Sequence, residues 1–395
     1  MEIATPGSHP AGFDHIDVQQ LRDSGWVKWA ARPGLIGAWI AEMDFPTAPA
    51  ITQALHRAVD AQTFGYLPEA LIESLAATFA DFARRSYAWH VDPARVRPVA
   101  DVLAGLMAVI DQFSAPGSPV LIPTPAYMPF LTVPQTAGRD VVQVPMAEYS
   151  GYYRYDLEAL DAAFTEPGQL LVLCNPHNPI GRVLDVDEMR AVADIVERHH
   201  GRVFADEIHA PLVYPGARHV PYASIDDRTA AHTVTAVSAS KAWNLPGLKC
   251  AQIVFGTDAD LRHWTETTGF LSEHGAADLG VIANIAAYLD GGPWLADTLG
   301  YLDRNRARLA DLVAEHLPGV GYTPPEGTYL AWLDCRALGL DDPARFFADQ
   351  AGVALVDGRE CGVAGTGFVR YNFATPRPIM ERSIAAMGAA LRAAT

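Results

Sequence analysis

Short apolar runs rich in β-branched residues recur between residues 118 and 256 and alternate with helical or loop segments. Six such runs are evident, at 120–122, 141–144, 170–173, 203–205, 234–237 and 252–255. Strands of this kind, separated by helices, form a mostly parallel sheet whose two faces are both covered. The sequence therefore predicts an α/β fold with a three-layer α/β/α domain built around this sheet.

The pattern changes after about residue 290, where Gly291, Gly292 and Pro293 break the chain. A long helix that is interrupted or bent near Gly300 is expected next, followed by two strand-like runs at 328–333 and 367–373 and a last helix. We therefore predict an N-terminal arm with part of a small domain, a large domain and a C-terminal small α+β domain, at 1–48, 49–290 and 291–395.

Composition excludes several classes of function. The formal net charge is −17 and no basic block is present, so nucleic acid is a poor candidate partner. No signal peptide and no bilayer-length apolar run is visible. The four cysteines form no Cys-x-x-Cys pair, which suits reduced thiols and predicts no metal site. These features together predict a cytoplasmic protein without a membrane partner.

Polar residues follow four of the predicted strands, where open α/β sheets bind ligands. These residues are Tyr127, the segment 175–181, Asp206 and Lys241. A lysine at a strand end with little water has a lowered pKa, and its neutral amine can attack a carbonyl. Lys241 is therefore a candidate to hold a carbonyl cofactor as a Schiff base. Taken alone, Lys241 does not outweigh the ordinary interpretation of a solvated surface lysine, which is right for most lysines.

Two helix starts are also predicted. Small and apolar residues after Asp101 open a helix whose free backbone N–H groups could bind a phosphate, although every α/β protein has several such helix ends. Asp185 and Glu188 have the spacing of a capping box at the start of another helix.

Four segments together carry a family pattern: Asn-Pro-His-Asn-Pro-Ile-Gly at 175–181, Ala-Asp-Glu-Ile-His at 205–209, Ser-Ala-Ser-Lys at 238–241 and Phe-Val-Arg-Tyr-Asn-Phe at 368–373. Their order and spacing resemble the pyridoxal-phosphate-dependent aminotransferase class I/II family of fold type I, over nearly the whole chain. The chain is most similar to the cystathionine β-lyase, or C–S β-lyase, branch of the MalY/PatB type. That branch resemblance is carried by 39–45, 64–66, 124–127, 206–209, 292–295 and 328–334.

The resemblance implies an aspartate-aminotransferase-like fold with pyridoxal 5′-phosphate as cofactor. Lys241 resembles the lysine that binds the cofactor and, once displaced, removes the substrate Cα proton as general base. Asp206 resembles the carboxylate that pairs with the pyridine nitrogen, and Asn178 the donor to the ring's phenolic oxygen. Tyr127 is expected to stack on the ring. His209 stands where many aminotransferases have tyrosine, and it either donates to the phenolic oxygen or packs.

The resemblance also assigns the cofactor phosphate to backbone N–H groups, hydroxyls and one cation, those of Val102, Leu103, Ser238, Ser240 and Lys249. Many relatives have arginine at the position of Lys249, and lysine lacks the two-point fork of a guanidinium. Asp101 stands where small residues are common in the family. A carboxylate there repels a phosphate unless it turns away.

The substrate side of the site is implied in the same way. Arg370 resembles the residue that binds the substrate α-carboxylate through a two-point guanidinium contact. Ala41, in the segment 39–45, is also expected to contact the substrate. Tyr66 in such folds reaches the phosphate of the neighbouring subunit's cofactor, which implies a homodimer with shared active sites.

The resemblance favours β-elimination from cysteine S-conjugates such as cystathionine, giving a thiol, pyruvate and ammonia. The same motifs serve transamination, so an aminotransferase stays open. A specialised biosynthetic enzyme acting on a larger S-conjugate stays open as well, including one that couples decarboxylation with oxidative deamination. A non-catalytic regulator on the same fold is a third class, but an intact Lys241 argues against a purely binding role.

Overall fold

The computed structural model describes residues 10–267 and 269–394. Its α-helices are α1 Val18–Asp23, α2 Val27–Ala30, α3 Pro49–Asp60, α4 Glu69–Tyr87, α5 Val102–Phe113, α6 Pro129–Thr136, α7 Leu157–Ala163, α8 Val186–Arg198, α9 Asp227–Ala231, α10 Asp258–Glu266, α11 Gly269–Glu273, α12 Asp278–Asp290, α13 Gly292–His316, α14 Pro343–Ala351 and α15 Arg377–Ala394. Its strands are β1 Ile36–Gly37, β2 Val96–Val99, β3 Val120–Thr124, β4 Val141–Pro145, β5 Ala147–Tyr149, β6 Tyr152–Arg154, β7 Leu170–Cys174, β8 Arg202–Asp206, β9 Thr233–Val237, β10 Ala251–Phe255, β11 Gly321–Tyr322, β12 Leu330–Asp334, β13 Val353–Ala354, β14 Val356–Asp357 and β15 Phe368–Asn372.

A seven-stranded sheet forms the centre of the fold, in the order β2-β10-β9-β8-β7-β3-β4. Each neighbouring pair from β9 to β4 is parallel, whereas β10 is antiparallel to both β9 and β2. The sheet is therefore mostly parallel, and the predicted α/β architecture is confirmed. All six strand-like runs of the sequence lie in it.

Both faces of this sheet are buried, as the apolar runs predict. Along β7, Leu171 and Leu173 pack with residues of α8, while Leu170 and Val172 pack with residues of α5 on the opposite face. Successive side chains of a strand point to opposite faces, so a strand covered on both sides must be apolar throughout.

The antiparallel direction of β10 determines where the turn at 238–250 lies, which carries Lys241 and Lys249. The segment 238–250 leaves the carboxyl end of β9 and returns into the start of β10. Because these two strands are antiparallel, the whole turn stays at the edge of the sheet where the parallel strands end. The start of α5 lies at the same edge, directly after β2.

A second sheet of four antiparallel strands, β11-β12-β15-β14, is formed by the C-terminal part of the chain. Helices α13 and α15 pack against each other beside it. Of the interruption or bend predicted near Gly300, the interruption is wrong, because α13 is one continuous helix of 25 residues. Its flanking residues Thr298, Tyr301 and Leu302 are buried, and this packing offsets the roughly 1 kcal/mol that a glycine costs inside a helix.

The N-terminal segment packs against the C-terminal part of the chain. Phe13 is buried and stacks on Phe45 at 4.1 Å between ring centroids, and both rings meet the edge of Tyr301. Strand β1 pairs with β13 in parallel. The first nine residues of the predicted arm lie outside the described residues, and the boundaries of the domains stay predictions.

The predicted capping box is only half present. The Asp185 carboxylate accepts a hydrogen bond from Glu188 N at 2.8 Å. The Glu188 side chain instead accepts from Tyr155 N and pairs with the buried guanidinium of Arg182. An unpaired buried guanidinium costs more free energy than an unpaired exposed N–H group, so Glu188 pairs with Arg182 rather than with the helix start. In the part of the chain that the structure covers, no helix combines the length and apolar character needed to cross a membrane.

Candidate active site

A cavity of about 200 Å³ lies at the carboxyl edge of the seven-stranded sheet. It brings together most of the residues that the sequence predicts for the site, namely Ala41, Val102, Leu103, Tyr127, Asn178, Asp206, His209, Ser238, Ser240, Lys241 and Lys249. Arg370 adjoins it through Asn178. Tyr66 does not line this cavity.

Lys241 lies in the turn after β9 and points its amine at the main chain of the N-terminal segment. Its Nζ donates to the carbonyl of Ala41 at 2.8 Å, and the buried Tyr329 hydroxyl donates to the same oxygen at 2.9 Å. Loss of hydration on burial, helped by the positive charge of Arg370, lowers the pKa of Lys241 to about 8. Neutral amine is therefore much more abundant here than on a solvated lysine.

Residues 41–45 are fixed from two sides. Asn244, with a left-handed φ of 58°, accepts from Met43 N at 3.0 Å and donates to the carbonyls of Met43 and Phe45 at 2.9 Å each. From β15, Asn372 Nδ2 donates to Glu42 O at 2.7 Å. These asparagines position the Ala41 carbonyl, and the sequence analysis missed both.

Asp206 ends β8 and is only 4% exposed. Its Oδ1 accepts from Ile208 N at 3.0 Å, and among the described residues no ion pair to this carboxylate is present. Burial raises the pKa of Asp206 to about 7, although the Ile208 N–H and the nearby Lys241 charge oppose this. The buried carboxylate is therefore suited to a ligand that offers a positively charged N–H group.

Arg370 lies in the middle of β15 and is 2% exposed. Its Nη1 donates to Asn178 Oδ1 at 3.1 Å and its Nη2 to Trp39 O at 2.8 Å. Its Nε is buried and has no partner within the described part of the chain. Burial lowers the pKa of this guanidinium. The orphaned donor leaves Arg370 able to bind an anion.

His209 is buried beside the cavity, 6.0 Å from the Tyr329 ring between centroids in an edge-to-face contact. Burial lowers the pKa of His209 to about 3, and the positive charges of Lys241 and Arg370 act in the same direction. The imidazole is therefore neutral, and its Nδ1 has no partner among the described residues. A ligand atom can satisfy this nitrogen.

The end of the cavity formed by α5 carries two opposite charges. Asp101 caps the helix, since its Oδ1 accepts from Ala104 N at 2.8 Å. Its Oδ2 pairs with Lys249 Nζ at 2.8 Å. The Ser238 hydroxyl donates to Cys250 O at 2.7 Å and accepts from Ser240 N at 3.0 Å, so its proton is directed away from a ligand.

The two tyrosines predicted for the site have different surroundings. Tyr127 follows β3, is partly buried, and lines the cavity; burial raises the pKa of its hydroxyl. Tyr66 is 94% exposed and lies with Phe64, which is 59% exposed, in a neighbouring groove that also reaches Lys249. Its ring is thus free to meet another molecule.

The loop that carries Asn178 is closed by a glycine. Gly181 has a φ of +69°, and a Cβ there would lie 2.2 Å from the Pro325 Cβ. Its carbonyl accepts from Glu326 N at 2.9 Å and Gly327 N at 2.8 Å. Within the same loop, His177 Nε2 bonds to Pro125 O at 2.8 Å. Sequence reasoning gave His177 no role, because a buried structural histidine has no signal of its own.

The chain is similar to known proteins over nearly its whole length. The family model described as aminotransferase class I and II matches residues 39–386. A Mycobacterium tuberculosis protein provisionally named a cystathionine β-lyase is 40% identical over 97% of this chain and 98% of its own. A cystathionine β-lyase of Corynebacterium glutamicum is 35% identical over 93% and 97%. The solved structure of cystalysin from Treponema denticola, which contains pyridoxal 5′-phosphate, is similar with a TM-score of 0.89, at 27% identity over 95% and 97% of the two chains.

Proposed function

This chain belongs to the aminotransferase class I and II family, and on that premise we propose that it is a pyridoxal-phosphate-dependent C–S β-lyase acting on cysteine S-conjugates of the cystathionine type. The predicted family and its lyase branch are confirmed by relatives named cystathionine β-lyase. The observation that carries the proposal is one cavity that joins the low-pKa amine of Lys241, the buried Asp206 carboxylate and, through Asn178, Arg370.

The residues of the cavity fit pyridoxal phosphate. Asp206 is a buried carboxylate that has a raised pKa and suits a protonated pyridine nitrogen. The orphaned Nδ1 of His209 can bond a ring substituent. Tyr127 supplies an aromatic face, and Lys241 supplies an amine for the aldehyde.

When bound, the cofactor supplies an electron-withdrawing ring that stabilises negative charge at the substrate Cα. Arg370 binds and orients the substrate α-carboxylate through its unpartnered Nε and its Nη groups. The Nζ of Lys241 takes the Cα proton, and its lowered pKa makes the neutral base available near neutral pH. The carbonyl of Ala41 holds this nitrogen beside the cavity.

In the proposed reaction the Cα–H bond and the Cβ–S bond break. The sulfur leaves with the bonding electron pair and gains a proton to become a thiol. One water molecule is consumed, and the remaining three carbons and nitrogen leave as pyruvate and ammonia. No external oxidant or oxo acid is required, which separates this outcome from transamination.

We also propose a homodimer in which Tyr66 reaches the phosphate site of a second copy. The 94% exposure of this ring, beside the exposed Phe64, supports a partner surface at this position. A cytoplasmic location is proposed from the four unpaired cysteine thiols, which suit a reducing compartment.

The test is pyruvate release from purified, cofactor-loaded protein given L-cystathionine without any oxo acid. We expect sustained pyruvate with an equal amount of thiol. Lys241→Ala at the same cofactor concentration is the control, and it should lose both turnover and the visible absorbance of lysine-bound cofactor. A single turnover that continues only after an oxo acid is added would identify an aminotransferase instead.

A further inference from the structure

The cavity end next to α5 holds an acidic residue, Asp101, at the place that the proposed cofactor site assigns to the phosphate group. Asp101 and Lys249 both line the cavity, and their side chains are 39% and 58% exposed. The Asp101 carboxylate already accepts from Ala104 N, in the first turn of the helix. The free N–H groups of that turn are what makes a helix start attractive to an anion.

The charges at this end of the cavity cancel. The ammonium of Lys249 is bonded to Asp101 Oδ2 at 2.8 Å, so the cation expected to attract phosphate is neutralised by the chain itself. Burial opposes the ionisation of Asp101, but the bonds from Lys249 and Ala104 outweigh it and lower the pKa of this carboxyl. Asp101 is therefore an anion at neutral pH.

We propose that Asp101 is an internal counter-ion, which pairs with Lys249 and accepts a hydrogen bond at the start of α5. It thereby lowers the affinity of the site for the cofactor's phosphate group. Cofactor retention then depends more on the ring contacts and the bond to Lys241 than on the phosphate. This inference rests on the proposed cofactor site but not on the reaction that the enzyme catalyses.

The decisive variant is Asp101→Asn, because asparagine keeps the cap on Ala104 N and removes the charge. Asp156→Asn is a matched control: Asp156 caps α7 by the same contact, to Ala159 N at 2.9 Å, and does not line the cavity. For each ligand-free protein, the dissociation constants of pyridoxal 5′-phosphate, unphosphorylated pyridoxal and inorganic phosphate are measured at low and high salt.

Removing one charge roughly 6 Å from a doubly charged phosphate in water-like surroundings changes affinity about tenfold. We expect Asp101→Asn to tighten binding of the phosphorylated cofactor and of inorganic phosphate by about that factor. Binding of pyridoxal should stay unchanged, and Asp156→Asn should match the wild type for all three ligands. High salt should reduce the gain, because ions screen an exposed pair.

Lys249→Met completes the test. It should weaken binding of the phosphorylated cofactor about tenfold, since Asp101 is then unpaired beside the phosphate. The double variant, with neutral side chains at both positions, should return close to the wild type. The proposal is overturned if Asp101→Asn leaves phosphate affinity unchanged, or tightens pyridoxal as much as its phosphate. No substrate is used, so a negative result for lyase activity does not decide this question.

Discussion

The lowered pKa of Lys241 predicts how fast the ligand-free protein captures its cofactor at each pH. Only the neutral amine attacks an aldehyde. With a pKa of about 8, about 10% of Lys241 is neutral at pH 7, whereas an amine at the ordinary value of 10.5 is neutral to only about 0.03%. Lys241 should therefore react roughly 300-fold faster at pH 7 than a solvated lysine of equal intrinsic reactivity.

The direction of the pH dependence follows from the same value. The capture rate should rise about tenfold per unit while Lys241 is mostly protonated, and level off above about pH 9. Asp206 has a pKa of about 7, which is below that of Lys241, and its ionisation adds a second step to the pH dependence of the capture rate. Glu42 raises the Lys241 pKa, so Glu42→Gln should move the main midpoint to lower pH.

The assay is stopped-flow visible absorbance after ligand-free protein is mixed with pyridoxal between pH 6 and pH 10. Unphosphorylated pyridoxal is preferred here because it has no phosphate ionisation near pH 6. Lys241→Ala supplies the background signal. A midpoint near 10.5, or a rate independent of pH, would refute the conclusion that burial controls this amine.

Three further predictions concern binding and stability. Arg370→Lys removes the two-point fork and should lower kcat/KM for the substrate about 30-fold or more, while the absorbance of bound cofactor stays unchanged in a titration. Asp44→Asn removes the negative charge that lies 2.9 Å from the buried Lys28 Nζ and should cost about 3–5 kcal/mol in the free energy of unfolding, measured with urea. A loss below about 1 kcal/mol would show that the charge pair is unimportant. Gly181→Ala would place a Cβ against Pro325, so weaker cofactor binding is expected in equilibrium titration, and wild-type affinity would show that the loop adapts.

Residues with a fixed place in a strand–turn pattern were predictable from the sequence. Asp206 directly follows one apolar run and Lys241 follows another after a short turn, and because both runs are parallel strands, both residues lie at the carboxyl edge of the sheet. The family pattern added Arg370 and Asn178, which no local rule would join across 192 positions. Their contact confirms that the two motifs meet, while their roles toward a ligand stay predictions.

What could not be predicted depends on contacts between distant side chains. Asn244 reads as a polar turn residue, and nothing local shows that it bonds to Met43 and Phe45 across about 200 positions. The pairing of Asp101 with Lys249 spans 148 positions, so each looked anomalous alone and only the structure shows that they neutralise each other. The interruption predicted in α13 at Gly300 is absent because local propensity omits the packing that stabilises a helix.

The hydrogen bonds from Asn244 and Asn372 form a clamp on residues 41–45, and this clamp has a consequence for synthesis on the ribosome. Glu42 leaves the ribosome long before Asn372, its partner in β15. Strand β1 likewise cannot pair until β13 has been synthesised. Lys241 can reach its place on the large sheet while the clamp that fixes the Ala41 carbonyl is still incomplete. Contacts over such separations close slowly. We therefore expect nascent chains that end before β15 to carry the reactive lysine without the frame that orients it.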